Sequence, residues 1–294
     1  MGCGSWTTSN YTSYASTARG VKCSAVDGSI DLSNLRTDQV FKARGLHEDL
    51  NVSGKIRECC DNEEHPNTVP IILALDVTGS MGQSAVRCAE KLNPIMTELL
   101  KDVKDVEFSI MAIGDTDYDS APIQMSQFES DIRIAEHLDK VYFEGGGGGN
   151  DWESYTLAWW AGLNHARLDC WERGKKGIII TLGDEPLNPY LPTEHLSRFL
   201  ADSEQSKRIN TADLYKRVTE KYDVYHVMIS DAYGFRCLGE DGLRESWGQY
   251  LDEDHLVVSS VENLPQILTK LIKKSVASNS ETSIPLFEGE TISW

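Results

Sequence analysis

Three largely apolar runs in this chain each close on an aspartate. Ile71–Leu75 leads into Asp76, Val106–Ile113 with Gly114 into Asp115, and Gly177–Leu182 with Gly183 into Asp184. Short runs of this kind, rich in β-branched residues and bounded by turn residues, suit strands buried on both faces. Helical spacing fills the intervals. Gln83–Leu100 places Val86, Ala89, Leu92, Met96 and Leu99 on one side, with a kink expected at Pro94. Trp152–Trp171 reads as one long helix with Leu157, Trp160, Leu163 and Leu168 facing the core. Strands over Ile123–Phe128, Val224–Ile229 and Leu256–Ser259 continue the alternation, with helical stretches over Ile132–Val141, His195–Ala201, Thr211–Lys221 and Leu264–Lys274; the region around Trp247 is left unassigned. Alternation of this sort describes an α/β chain, Rossmann-like, with a mostly parallel central sheet and helices on both faces. Ligands of such sheets bind outside the carboxyl ends of the strands, where the three aspartates are expected.

The first 68 residues read differently. Ser5–Thr17 is rich in Ser, Thr, Asn and Tyr, and Asp61–Thr68 is a polar stretch with a proline. Trp6, Tyr11, Tyr14, Val40 and Phe41 make the segment too apolar to be wholly disordered. The expected organisation is an N-terminal extension over 1–68, partly packed on a core domain over 69–274, and a C-terminal tail over 275–294.

Acidic residues number 46 against 28 lysines and arginines, a formal charge of −18. That surplus disfavours nucleic acid and anionic membrane as partners and suits cations or basic proteins. The 7 cysteines form no C-x-x-C pair and no even framework, and the sequence shows no secretion leader. No apolar run reaches the roughly 20 residues of a bilayer span. The expectation is a soluble, cytoplasmic protein with reduced thiols.

Asp76, Thr78 and Ser80 bring one carboxylate and two hydroxyls into a single tight loop. Hard divalent cations take oxygen ligands of this type. Glu153 or Asp151 adds a carboxylate from the segment after the run Gly145–Gly149, and Asp184 adds one from a third loop. Neutral hydroxyls leave a bound ion electrophilic toward a carboxylate from outside. Three other readings compete. The first loop is also a good helix cap. The glycine run suits a linker or a phosphate cradle, although no lysine follows it in a phosphate-loop arrangement. Asp76 also stands where an aspartyl nucleophile of a Mg²⁺-dependent phosphotransferase would stand, but Lys175 and Lys176 lie at the wrong end of their strand for that chemistry. Asp115, Asp117 and Asp119 fail as a calcium loop, because Ser120 and Ser126 occupy the positions that need Gly and Glu. They read as solvated loop acids, with a second ion at Asp115 as the alternative, and His165 and His226 read as packed or surface histidines.

"DVTGS", Asp76–Ser80, resembles the D-x-[ST]-G-S signature of von Willebrand factor A (VWA) domains, which carry a metal-ion-dependent adhesion site. "GGGGGNDWES" is similar to that family's second loop, with Glu153 at the ligating glutamate, Asn150 in place of the upstream Asp and Trp152 where Pro is usual. "ITLGDEP", Ile180–Pro186, resembles the third loop, and "YDVYHVMIS" and "SSVENLPQIL" resemble a late strand and the terminal helix. The likeness is to stand-alone bacterial or phage-type members. It implies that Thr78 and Ser80 bind Mg²⁺ (or Mn²⁺ or Ca²⁺) directly and that Asp76 and Asp184 act directly or through water. Glu153 would ligate from the second loop, with Asn150 and Asp151 as further candidates there. The remaining position would take water or an Asp or Glu of a partner protein. The implied function is protein binding without chemistry of its own, with service as an adaptor to an AAA+ ATPase as an alternative.

Overall fold

The computed structural model describes residues 4–24, 28–32, 34–150 and 152–281. Its centre is a six-stranded sheet built from the apolar runs: β1 (Val69–Asp76), β2 (Val106–Ile113), β3 (Ile123–Met125), β4 (Gly177–Gly183), β5 (Tyr222–Ile229) and β6 (Leu256–Ser259). The strands lie in the order β3-β2-β1-β4-β5-β6. All neighbours are parallel except β3, which runs antiparallel to β2 at the edge. The sheet is therefore Rossmann-like, as expected. From β1 the chain steps outward to β2 and β3, then returns to the other side of β1 with β4. The order thus reverses between β1 and β4, and a crevice opens at their carboxyl ends. Asp76 pairs in register with Ile113, and Leu75 with Leu182, so the first and third aspartates emerge side by side there.

The pleat splits β1 between two cores. Ile71, Leu73 and Leu75 face one layer, formed by helices Gly82–Glu90, Leu92–Leu99, Arg133–Asp139 and Leu264–Glu281; Ile72 and Ala74 face the other, formed by helices Thr156–Asn164, Thr193–Leu200, Thr211–Thr219 and Tyr233–Trp247. The N-terminal segment joins both. Trp6, Tyr11, Leu32, Val40, Phe41 and Leu50 are buried in the first core, and Cys59 in the second. Strand Arg57–Cys59 pairs in parallel with Ala166–Leu168, and Arg19 forms an ion pair with Asp139. Among the described residues, no helix is long and apolar enough to cross a membrane.

Four elements differ from the sequence reading. The kinked helix is two helices divided at Lys91; Pro94 falls in the first turn of the second, where a missing N–H costs no intrahelical bond. The long helix Trp152–Trp171 shrinks to Thr156–Asn164. Its first residues are drawn into the loop before it, and its last become the strand that pairs with Arg57–Cys59, followed by a 3₁₀ turn at Asp169–Trp171. The unassigned region around Trp247 is a helix over Tyr233–Trp247, broken at Gly239 by φ +71°. The last helix continues past Lys274 to Glu281. The end of the tail lies outside the described residues.

Candidate metal centre

Asp76 ends β1 fully buried. Its Oδ1 accepts the Thr78 backbone N–H at 2.9 Å and the Thr78 hydroxyl at 2.6 Å. Its Oδ2 accepts the Tyr155 hydroxyl at 2.5 Å. Asp184, just past β4 and also fully buried, has a matching arrangement. Its Oδ1 accepts the Ser80 hydroxyl at 2.8 Å, and its Oδ2 accepts the backbone N–H of Gly234 at 2.7 Å. Each carboxylate thus holds one hydroxyl with one oxygen and is tied to a distant element by the other. Because both hydroxyl protons point at carboxylates, the Thr78 and Ser80 oxygens, 3.2 Å apart, keep lone pairs free. Two neutral oxygen donors are presented in fixed orientation.

The glycine run folds across this loop. The Gly79 N–H donates to Gly146 O at 2.8 Å, and a Cβ on Gly79 would stand 3.1 Å from Gly145 O. Gly147, Gly148 and Gly149 have φ of +97°, +98° and +123°, a region that side chains rarely adopt. The run is therefore packed as a close cover for the first loop, not as a free linker. It delivers Glu153, whose backbone pairs with Leu187 and whose N–H donates to Pro186 O at 3.1 Å. Glu153 is 5% exposed, and its Oε2 is buried without a hydrogen-bond partner. Thr78, Gly79, Ser80, Glu153, Glu185 and Tyr233 line a cleft of about 420 Å³ with the glycine run, Asn150 and Trp152.

The electrostatics are those of crowded acids. Burial first, then Asp76, Asp115, Asp119 and Glu185, push the Glu153 carboxyl far above the usual range. Burial and Asp184 raise Asp76, with Thr78 and Tyr155 pulling back. Burial raises Asp184, and the Ser80 hydroxyl and Gly234 N–H oppose it. Among the described residues no three His, Cys, Asp or Glu side chains converge as a ligand cluster. The donors that do converge are two hydroxyls, with one unpartnered carboxylate oxygen on the same cleft.

The structure thus unites Asp76, Thr78, Ser80 and Asp184 and brings Glu153 to the same cleft. Asn150 lines the cleft, and its side-chain amide nitrogen is buried without a hydrogen-bond partner. Asp151 lies outside the described residues. The acids after β2 are not all solvated: Asp115 and Asp119 are buried, and only Asp117 is exposed. Gly114 and Gly146 make the room for Asp119, since a Cβ on either would collide with its carboxylate. His226 is packed as expected, stacked 3.7 Å from Trp247. Tyr155 and the Gly234 N–H were not signalled by spacing, because both reach the site from remote parts of the chain.

No protein-family model matches the chain, and no curated protein matches it. Solved structures similar to it include the open conformation of the pilus adhesin SpaC from Lactobacillus rhamnosus GG, at 14% identity over 77% of this chain and TM-score 0.48. The chain spans only 31% of the length of SpaC. The vWF domain of the type V pili tip protein Mfa5 from Porphyromonas gingivalis is similar at 11% identity over 72% of this chain and 96% of its own, TM-score 0.46. The conserved hypothetical protein BatB from Bacteroides thetaiotaomicron is similar at 13% identity over 71% and 99%, TM-score 0.44. The α/β architecture stands on the strand order itself, independently of these likenesses.

Proposed function

We propose that the chain is a cation-dependent protein-binding module, with Mg²⁺ held at the carboxyl ends of β1 and β4. The reading is carried by one observation: two hydroxyl oxygens, each locked by a buried carboxylate, share a cleft with the unpartnered Oε2 of Glu153. The donor chemistry fits the ion. All the donors are oxygens, which suits Mg²⁺, Mn²⁺ or Ca²⁺ rather than a thiophilic metal. A buried carboxylate oxygen without a proton donor is costly unless a proton or a cation meets it. Thr78, Ser80 and Glu153 would hold the ion, and Asp76 and Asp184 would orient the two hydroxyls. When bound, the cation supplies a Lewis-acidic position for an Asp or Glu of a partner protein. Trp152 and the exposed Tyr233 on the rim of the cleft supply the amphipathic surface that interfaces favour.

The phosphotransferase reading finds less support. Both oxygens of Asp76 are engaged by donors, and no lysine is among the residues lining the cleft. Calorimetric titration with Mg²⁺ and Mn²⁺, on wild type and on Thr78→Ala/Ser80→Ala, tests the proposal. One site in wild type and none in a folded double variant is expected. Equal binding by both, or no binding by wild type, refutes it.

A further inference from the structure

We propose that Tyr155 is a positioning residue that keeps Asp76 out of the direct ligand set, and so sets how strongly the cleft attracts a carboxylate. The inference rests on the cation reading and adds a residue that the motifs do not contain. Tyr155 is fully buried, and its hydroxyl donates to Asp76 Oδ2 at 2.5 Å. The phenol oxygen itself accepts the Glu185 N–H at 3.4 Å. Tyr155 follows the second loop, Asp76 belongs to the first and Glu185 to the third. One phenol, carried just after the second loop, therefore bonds the first and the third.

The ring has little freedom to leave. It lies edge-on to His226 with centroids 5.2 Å apart, and against Trp247 at 5.1 Å. A Cβ on Gly183 would lie 2.0 Å from its hydroxyl oxygen, so the strand end must be glycine for the phenol to pass. The consequence concerns charge. With Oδ2 bound to Tyr155 and Oδ1 bound to Thr78, Asp76 acts on a cation only through the hydroxyl it orients. Fewer anionic ligands leave more of the ion's charge for an incoming carboxylate.

Removal of the phenol oxygen leaves Oδ2 buried without a partner until a proton or a cation meets it. That destabilises the empty site more than the occupied one, and it frees Oδ2 to turn toward the cation. Tyr155→Phe is therefore expected to bind Mn²⁺ about tenfold more tightly, the reverse of the usual loss on removing an outer-shell partner, while its Mn²⁺ form binds acetate more weakly. The two shifts have opposite signs, which a generally loosened site does not produce. Titrations of Mn²⁺ and then acetate, read by calorimetry and water-proton relaxation, compare wild type, Tyr155→Phe, Asp76→Asn and the double variant. In the Asp76→Asn background, Tyr155→Phe is expected to change nothing. If Tyr155→Phe does not fold, Asp76→Asn decides alone: a loss of Mn²⁺ affinity of up to about a hundredfold supports an indirect role, and a larger loss overturns it. Weaker or unchanged Mn²⁺ affinity, or unchanged acetate affinity, in folded Tyr155→Phe overturns the inference while leaving the cation reading intact. Absence of Mn²⁺ binding in wild type overturns both.

Discussion

Glu107 offers a test of the fold's energetics far from the cleft. It is the second residue of β2, at the opposite end of the sheet, and it is 1% exposed. Neither carboxylate oxygen has a hydrogen-bond partner of ordinary geometry. Burial pushes its pKa from 4.5 to about 7; the Cys59 thiol and His65 oppose the shift and Glu129 adds to it. The sign of the linkage follows. As pH rises above 4.5 the unfolded chain loses this proton while the folded chain keeps it up to about 7. Stability contributed by the protonated form is complete below 4.5, falls through that window and is gone above about 7. At about 1.4 kcal/mol per pKa unit, the loss is about 3 kcal/mol. Glu107→Gln cannot ionise, so it lacks this slope. Any packing cost of the amide applies at every pH and cancels between two pH values. Urea denaturation of both proteins at pH 4.5 and pH 8 is expected to show the variant's stability, relative to wild type, higher by about 3 kcal/mol at the upper pH. Parallel stability curves across that range would refute the reasoning.

Two further substitutions probe the packing around the site and the role of the first segment. Gly183→Ala places a methyl group within 2.0 Å of the Tyr155 hydroxyl, and is expected to cost about 1–3 kcal/mol or more in urea denaturation and to weaken Mn²⁺ binding in calorimetry. Tyr11→Ala empties a fully buried position of the N-terminal segment, and should lower stability by about 3–5 kcal/mol in the same cooperative transition as the sheet. A separate early transition for that variant would show that residues 4–24 fold apart from the sheet.

The parts of the fold that were legible are those whose signal is local. β1 and β4 are continuous apolar runs and β2 a largely apolar one, and each carries an aspartate at or just beyond its carboxyl end; the buried Glu107 lies at the other end of β2. Helix Tyr233–Trp247 was missed because it buries only Gly234, Leu243 and Trp247, too few to make a stripe, and its other residues are largely charged or small. The long helix beginning at Trp152 was overread for the opposite reason. Its apolar residues are real core residues, but Tyr155 packs from a loop, Ala166 and Leu168 from a strand and Cys170 from a 3₁₀ turn.

Within the site the same division decides what each acid does. Residue type and spacing present Asp76, Glu153 and Asp184 as equivalent carboxylates; only the family resemblance implies Glu153 as a ligand, and it leaves Asp76 and Asp184 open between direct and water-mediated roles. Hydrogen bonds distinguish them. Asp76 is occupied by a phenol 79 positions away, and Asp184 by a backbone N–H 50 positions away. Glu153, delivered by a glycine loop with no such donor, keeps an oxygen free. In the proposed reading, the acid with no spare donor near it would meet the cation, and the two that are satisfied would aim Thr78 and Ser80. Neither assignment follows from residue type or spacing, because each depends on contacts closed only when β1 and β4 lie side by side.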